Sequence, residues 1–247
     1  MNKARIFFIL FILTAWEIMG QSGLIHAGIL PPFSDVVKRF GEMLFYEKLI
    51  QTTLYSIFMV LLAMGLSVII TVVLIILGRK YKWVGTNIEL LHSIVSPLPG
   101  IAILPLVILW FGINVEAMLF ILVHATLWPM WRQLALAVDR LHKQYNRLET
   151  VFHLSKFKRF FHIYVQGSLL DLKSALSVSW SRGWRALISV EMIFGMVGNQ
   201  TGLGWLIYER RMYMDTEGLY AGLIAIGLCG VFFEALVFTK LKLGRVS

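Results

Sequence analysis

The sequence predicts an all-α integral membrane protein, and three observations carry that reading. Of the 247 residues, 58% are hydrophobic and only 15% are charged, with a mean hydropathy of +0.74. About a quarter of a typical soluble domain is charged. Next, Thr53 to Leu77 is a run of 25 residues without a formal charge, and Leu90 to Val115 a run of 26. Each exceeds the ~20 apolar residues that cross a hydrocarbon core. Finally, these runs lack the in–out alternation of a barrel strand. A backbone in lipid must satisfy its own hydrogen bonds, so the runs are helices.

Six spans are expected, at about 6–27, 53–77, 90–112, 116–137, 169–197 and 218–239, in a single transmembrane domain over 1–247. Lys and Arg set the orientation. One side receives Lys3 and Arg5, the Arg79–Lys82 cluster, the basic residues between Arg140 and Arg159, and Lys240, Lys242 and Arg245, which is 14. The other receives 5: Lys38, Arg39, Lys48, Arg210 and Arg211. Both termini are therefore expected in the cytoplasm, which needs an even number of spans. The net charge of +9 is spread over these loops, and no basic stretch stands apart as a nucleic-acid-binding segment. Lys3 and Arg5 ahead of Ile6–Trp16 resemble the start of a signal peptide. No small-residue cleavage site follows directly, so an uncleaved first span is expected. The single cysteine, Cys229, excludes a disulfide framework.

Two connections are long enough to carry work: a basic cytoplasmic stretch of about 138–168, and an outer stretch from Gly198 to Glu217. The sequence contains no G-x-x-x-x-G-K-[ST] loop. If ATP drives this protein, another chain binds it.

The fifth span is unusually polar, with Asp171, Lys173, Arg182, Arg185 and Glu191. Asp171 and Lys173 lie near the cytoplasmic end, where long side chains reach the interface. An arginine at the centre of an isolated helix costs about 2.5–3.5 kcal/mol on insertion scales, so Arg182 and Arg185 are expected to face protein or water. At 100° per residue, Ser174, Ser177, Ser181, Arg182, Arg185 and Ser189 share an arc of about 140°, the polar face expected of a helix lining an aqueous path. Serine stripes also mediate helix packing, and an arginine can pair with Glu17, Glu191 or Glu234 for structure alone. Glu191 points off the stripe and is expected to be a structural ion pair or packing partner. In the third span, Pro97, Pro99 and Pro105 with Gly100 predict a kinked or broken helix. Broken helices often surround transport sites. His92 and His124 have no H-x-x-x-H partner, so no metal site is expected, and no G-x-S-x-G nucleophile motif is present.

The stretch Glu149 to Gln166 reads as a short, partly amphipathic helix. Val151, Leu154, Phe161 and Val165 form its apolar stripe, which Lys158 interrupts. Such a helix lies on the membrane or docks into a groove of a cytoplasmic partner.

These features together resemble the permeases of binding-protein-dependent ABC importers, of the nitrate/sulfonate/taurine type, over nearly the whole chain. The resemblance rests on Trp16-Glu17 followed by Leu30-Pro31-Pro32-Phe33-Ser34-Asp35-Val36; on Pro97-Leu98-Pro99 with Leu104-Pro105 through Trp110-Phe111-Gly112; on Arg182-Gly183-Trp184-Arg185-Ala186-Leu187 with Glu191-Met192; and on Gly202-Leu203-Gly204. It implies a bacterial inner-membrane subunit with a short cytoplasmic coupling helix between spans four and five. Glu149, Val151, Leu154, Ser155, Phe157 and Phe161 would then meet the ATPase, although only Glu149 matches the family's cytoplasmic signature. It also implies partner ATPase subunits carrying ATP and Mg, an extracytoplasmic solute-binding protein, a second permease in a homodimer or heterodimer, and no cofactor on this chain. Chemistry at the permease would be none; it would supply a path and two conformations. Arg182 and Arg185 would suit a small anionic solute. The competing readings are a secondary transporter or channel, which would show a charge relay or an inverted repeat, and an intramembrane enzyme, which would need paired catalytic groups at one depth.

Overall fold

In the computed structural model, the structure describes residues 3–26, 28–151, 159–197 and 200–238. Among them the regular elements are all helical: α1 (Lys3–Gln21), α2 (Phe33–Tyr46), α3 (Leu49–Lys80), α4 (Lys82–Val95), α5 (Gly100–Phe111), α6 (Val115–Val151), α7 (Leu169–Phe194), α8 (Leu203–Met212) and α9 (Thr216–Phe232), with π-helical segments at Arg159–Val165 and Phe233–Phe238. Ala4–Gln21, Leu49–Lys80 and Thr216–Ala235 are long and apolar enough to cross a membrane. The third predicted span is instead two helices, α4 and α5, bent by 105° and counting as a fourth if taken as one broken span. The fourth and fifth predicted spans fall on α6 and α7, which are long enough but not apolar enough by the same measure. Their arginines, histidines and serines lower their hydropathy.

The chain forms two compact units. The first comprises Met1–Ser56 and Glu191–Cys229. Here α1 leaves Phe7, Phe8 and Phe11 exposed, as suits a helix in contact with lipid. Its far end is anchored by polar contacts. Trp16 Nε1 donates to the Pro31 carbonyl at 3.0 Å, and the Trp16 ring packs on Phe33 and Tyr220. Glu17 accepts from the Ser34 N–H at 2.9 Å and the Ser34 hydroxyl at 2.8 Å. The helix α2 begins after Pro32, which supplies no side-chain cap. The Glu17 carboxylate therefore satisfies an orphan N–H of its first turn. Val36 and Met43 bury its apolar face.

A closed ring of charges ties α2 and the turn after it to α8 and the turn before α9. Arg39 meets Glu47 at 2.6 Å, Glu47 meets Arg210 at 2.6 Å, Arg210 meets Asp215 at 3.2 Å, and Asp215 returns to Arg39 at 2.8 Å. Asp215 also accepts from the Gly218 N–H at 2.9 Å, capping α9.

The second unit comprises Ile57–Val190 and Gly230–Ser247. Its packing depends on small polar residues, as membrane helix pairs often do. Thr126 on α6 shares a 2.7 Å hydrogen bond with Ser67 on α3, and its carbonyl accepts from Ser179 on α7 at 2.9 Å. A Cβ at Gly183 would stand 2.7 Å from the Thr126 methyl and 3.3 Å from Val60. Only a glycine lets α7 approach this closely. Ion pairs Arg79–Asp139 and Arg140–Asp171, at 2.8 and 2.7 Å, join the basic ends of these helices.

Candidate functional site

Three helices of the second unit bring polar faces to one place. On α7, Arg182, Arg185, Ala186 and Ser189 follow the i, i+3, i+4, i+7 spacing of a single face. On α6, Ala125, Trp128 and Pro129 join His124. The break between α4 and α5 supplies Ser96, Pro97, Leu98 and Pro99, and α5 adds Gly100 and Ile101. Together they line a cavity of about 520 Å³, within the range of small-ligand sites.

Its chemistry is one-sided. Two guanidinium groups face the cavity and no carboxylate lines it. Among the described residues, neither Arg182 nor Arg185 forms an ion pair. Two prolines add acceptors at the same place. Pro105 has no N–H for the Ile101 carbonyl one turn back, and Pro129 has none for that of Ala125. Both of those residues line the cavity. The wall therefore offers paired cations, hydroxyls and backbone carbonyls released from their helices.

The predicted path residues divide. Arg182, Arg185 and Ser189 line the cavity; Ser174, Ser177 and Ser181 do not. Pro97 and Pro99 lie in the helix break and also line it, whereas Pro105 sits inside α5 and is not among the lining residues. Glu191 belongs to the first unit and is buried there. It accepts from Ser56 at 2.8 and 3.0 Å and from the Gly204 N–H at 2.9 Å, at the start of α8. Of the coupling set, Glu149 and Val151 stand in the last turn of α6 rather than at the start of a separate helix. Phe161 lies exposed in the π-helical segment. Leu154, Ser155 and Phe157 lie outside the described residues.

A second cavity, of about 670 Å³, shares Ser96 and Pro97 with the first and adds Glu89, His92, Ser93 and Arg132. Sequence reasoning passed over most of these. The signal was present: Glu89, His92 and Ser93 on α4 and Ser96 at its C-cap repeat at i, i+3, i+4, i+7, and Arg132 is an arginine inside the predicted fourth span.

Comparison with known proteins bears on the same stretch of chain. The sequence profile of the binding-protein-dependent transport system inner membrane component matches residues 70–239. The chain belongs to that family. Three relatives extend the similarity over most of the permease. One from Bacillus subtilis, provisionally named aliphatic sulfonates transport permease protein SsuC, is 20% identical over 92% of this chain and 80% of its own. The taurine transport system permease protein TauC of Escherichia coli is 21% identical over 90% and 82%. The bicarbonate transport system permease protein CmpB of Synechococcus elongatus is 22% identical over 93% and 84%. These relatives place the permease in the nitrate/sulfonate/taurine-type subgroup.

Proposed function

We propose that this permease is the membrane-spanning subunit of an ATP-driven importer in the bacterial inner membrane, and that it carries a small oxyanion. The observation that carries the reading is the pair Arg182 and Arg185, facing an acid-free cavity at a broken helix. An ionisable side chain at membrane depth is costly and marks a solute path by default. Aliphatic sulfonates, taurine and bicarbonate, named for the relatives, each present a compact group of oxygens. Such a group accepts the forked N–H donors of arginine.

On this reading the chain crosses the membrane six times, with α4 and α5 as one broken span and α6 and α7 as the fourth and fifth. Both termini lie in the cytoplasm. A second permease subunit, identical or related, completes the path. Two ATPase subunits bind ATP and Mg and push on the region of about 138–168, and a solute-binding protein delivers the anion from outside. The permease changes no bonds. It alternates between outward- and inward-open states, and the cavity keeps the anion solvated by protein groups meanwhile.

The test is uptake by the reconstituted complex with its ATPase and binding protein. Arg182→Ala and Arg185→Ala each remove charge-assisted hydrogen bonds worth about 1.5–3 kcal/mol, so uptake at subsaturating solute should fall roughly 10- to 100-fold while the subunits still copurify. Wild-type uptake in both variants returns the arginines to a structural role. Labelling that places residues 140–160 outside the cell overturns the topology.

A further inference from the structure

The second cavity differs from the first in one chemical respect. It holds one arginine, Arg132, and one carboxylate, Glu89, whereas the first holds two arginines and no acid. Ser96 and Pro97 line both, so the cavities adjoin at the helix break. The chain direction orders them. The helix α4 starts at Lys82, beside the basic cluster expected in the cytoplasm, and Glu89 precedes Ser96 by seven residues, or about 10 Å along the axis. Arg132 likewise lies two turns beyond His124 on α6, toward the basic end of that helix. His92 stands in place against Trp128 and Trp131, with ring centroids 5.9 and 5.1 Å away.

We infer that the two cavities are successive anion stations of graded strength: a holding station at Arg182 and Arg185, then a release station toward the cytoplasm at Arg132, His92 and Ser93, weakened by Glu89. The inference rests on the anion-path reading above and deepens it. Passage through a selective path requires a site strong enough to admit the solute and a following one weak enough to let it go. A guanidinium alone in the second cavity would hold the anion as the first does. A carboxylate among the same lining groups subtracts from that potential without abolishing it, so the solute moves on. Arg132 and Glu89 are therefore specificity- and release-determining residues, and Glu89 works by opposing the solute.

Local potential can be read without any transport. In the full chain within its native complex in membranes, with Cys229→Ser as background, Ser93→Cys and Ser189→Cys place one thiol in each cavity. Each is modified with an anionic methanethiosulfonate bearing a sulfonate and with a cationic one bearing trimethylammonium, and the rates are compared with those of free cysteine. The anionic reagent should be preferred at both positions, more strongly at Ser189→Cys. Arg132→Gln leaves Glu89 unopposed and should bring the preference at Ser93→Cys below the free-cysteine value, in favour of the cationic reagent. Glu89→Gln should raise it by roughly tenfold, the size expected of removing one nearby charge at intermediate dielectric. Loss of fold cannot mimic shifts in opposite directions. No anionic preference at Ser93→Cys, or a preference indifferent to both substitutions, overturns the release station. That result leaves the importer reading intact if Arg182→Ala still lowers uptake roughly 10-fold or more. Conversely, the graded potential with uptake indifferent to Arg182 and Arg185 separates the stations from the proposed transport.

Discussion

Gly202→Ala tests whether one buried carboxylate organises the start of α8. The helix α8 has no cap from its own N-cap residue, Gly202. Its first N–H groups are met from elsewhere in the same unit. Leu203 donates to the Ser56 hydroxyl at 2.9 Å, Ser56 donates on to Glu191, and Gly204 donates to Glu191 directly at 2.9 Å. Gly202 has φ −105° and ψ 175°, a conformation any residue adopts, so its glycine is not needed for backbone freedom. It is needed for space, because a Cβ there would overlap the Glu191 carboxylate. Alanine must expel that carboxylate or push α8 away. Expelling the carboxylate strands the Gly204 N–H and the Ser56 hydroxyl, and displacing α8 strands the Leu203 and Gly204 N–H groups, at about 1–3 kcal/mol for each group left unsatisfied. With partial rescue by water we expect a net loss of about 3–5 kcal/mol.

The assay is thermal unfolding of the detergent-solubilised complex. Gly41→Ala is the control. Gly41 lies in α2 with nothing within 4 Å of an added Cβ, so alanine should stabilise by about 0.5–1 kcal/mol. The decisive comparison is the double variant. Once Glu191→Ala has removed the carboxylate, Gly202→Ala should cost little more, a coupling of at least about 1 kcal/mol. Full additivity, or a Gly202→Ala protein as stable as the parent, refutes the argument.

Three further outcomes follow from the geometry. Burial acts to raise the Asp215 carboxyl, but hydrogen bonds from Arg39 and the Gly218 N–H, with the charges of Arg39 and Arg210, outweigh it and hold its pKa below the ordinary 3.8. Its contribution is therefore present above about pH 4 and lost as pH falls through the depressed value. Asp215→Asn keeps a good cap for α9, so it should cost about 1 kcal/mol between pH 5 and 7, with the difference from wild type shrinking below pH 4; a constant difference down to pH 2 would count against the ring. Gly183→Val should lower the unfolding temperature by forcing α7 from Thr126, at about 1–3 kcal/mol, and Gly183→Ala should do so less; no change in either means the close approach is not needed. Pro105→Ala restores a donor to the Ile101 carbonyl and should leave stability equal or higher and, by withdrawing an acceptor that repels an anion, uptake no slower; severalfold slower uptake would mean that the proline's shaping of α5, and not the charge of the wall, limits transport.

The apolar runs made the membrane class legible, since an uncharged stretch of 25 residues has few other uses. They also placed the helices now seen as α1, α3 and α9. The short helices escaped for a physical reason. Both α2 and α8 lie in polar, charge-rich segments that read as loops, and their first turns are satisfied by carboxylates distant in sequence, Glu17 and Glu191. No local capping pattern announces them. Of the α7 stripe, Arg182, Arg185 and Ser189 line the cavity, but periodicity fixes only a direction around the axis. It could not tell that the lower serines, Ser174 and Ser177, lie away from the cavity. The α4 stripe was hidden by treating 90–112 as one span, which left Glu89 outside it. The 105° break gives α4 a face of its own.

What separates this permease's structural charges from its functional ones is whether the fold answers them. Arg39, Glu47, Arg210 and Asp215 satisfy one another in a ring, and Glu191 is occupied by a helix terminus and a serine. These groups fix geometry, and a solute could bind them only by breaking what they hold. Arg182 and Arg185 are left facing open volume with no described carboxylate to neutralise them. On the proposed topology α7 is a span, and membrane depth makes that arrangement expensive. Among the described residues, the close approach of α7 to α6 rests on Gly183 and Ser179 instead. On the anion path we propose, the partner of these two cations is the solute, which comes and goes, and the balance of Arg132 against Glu89 sets its release.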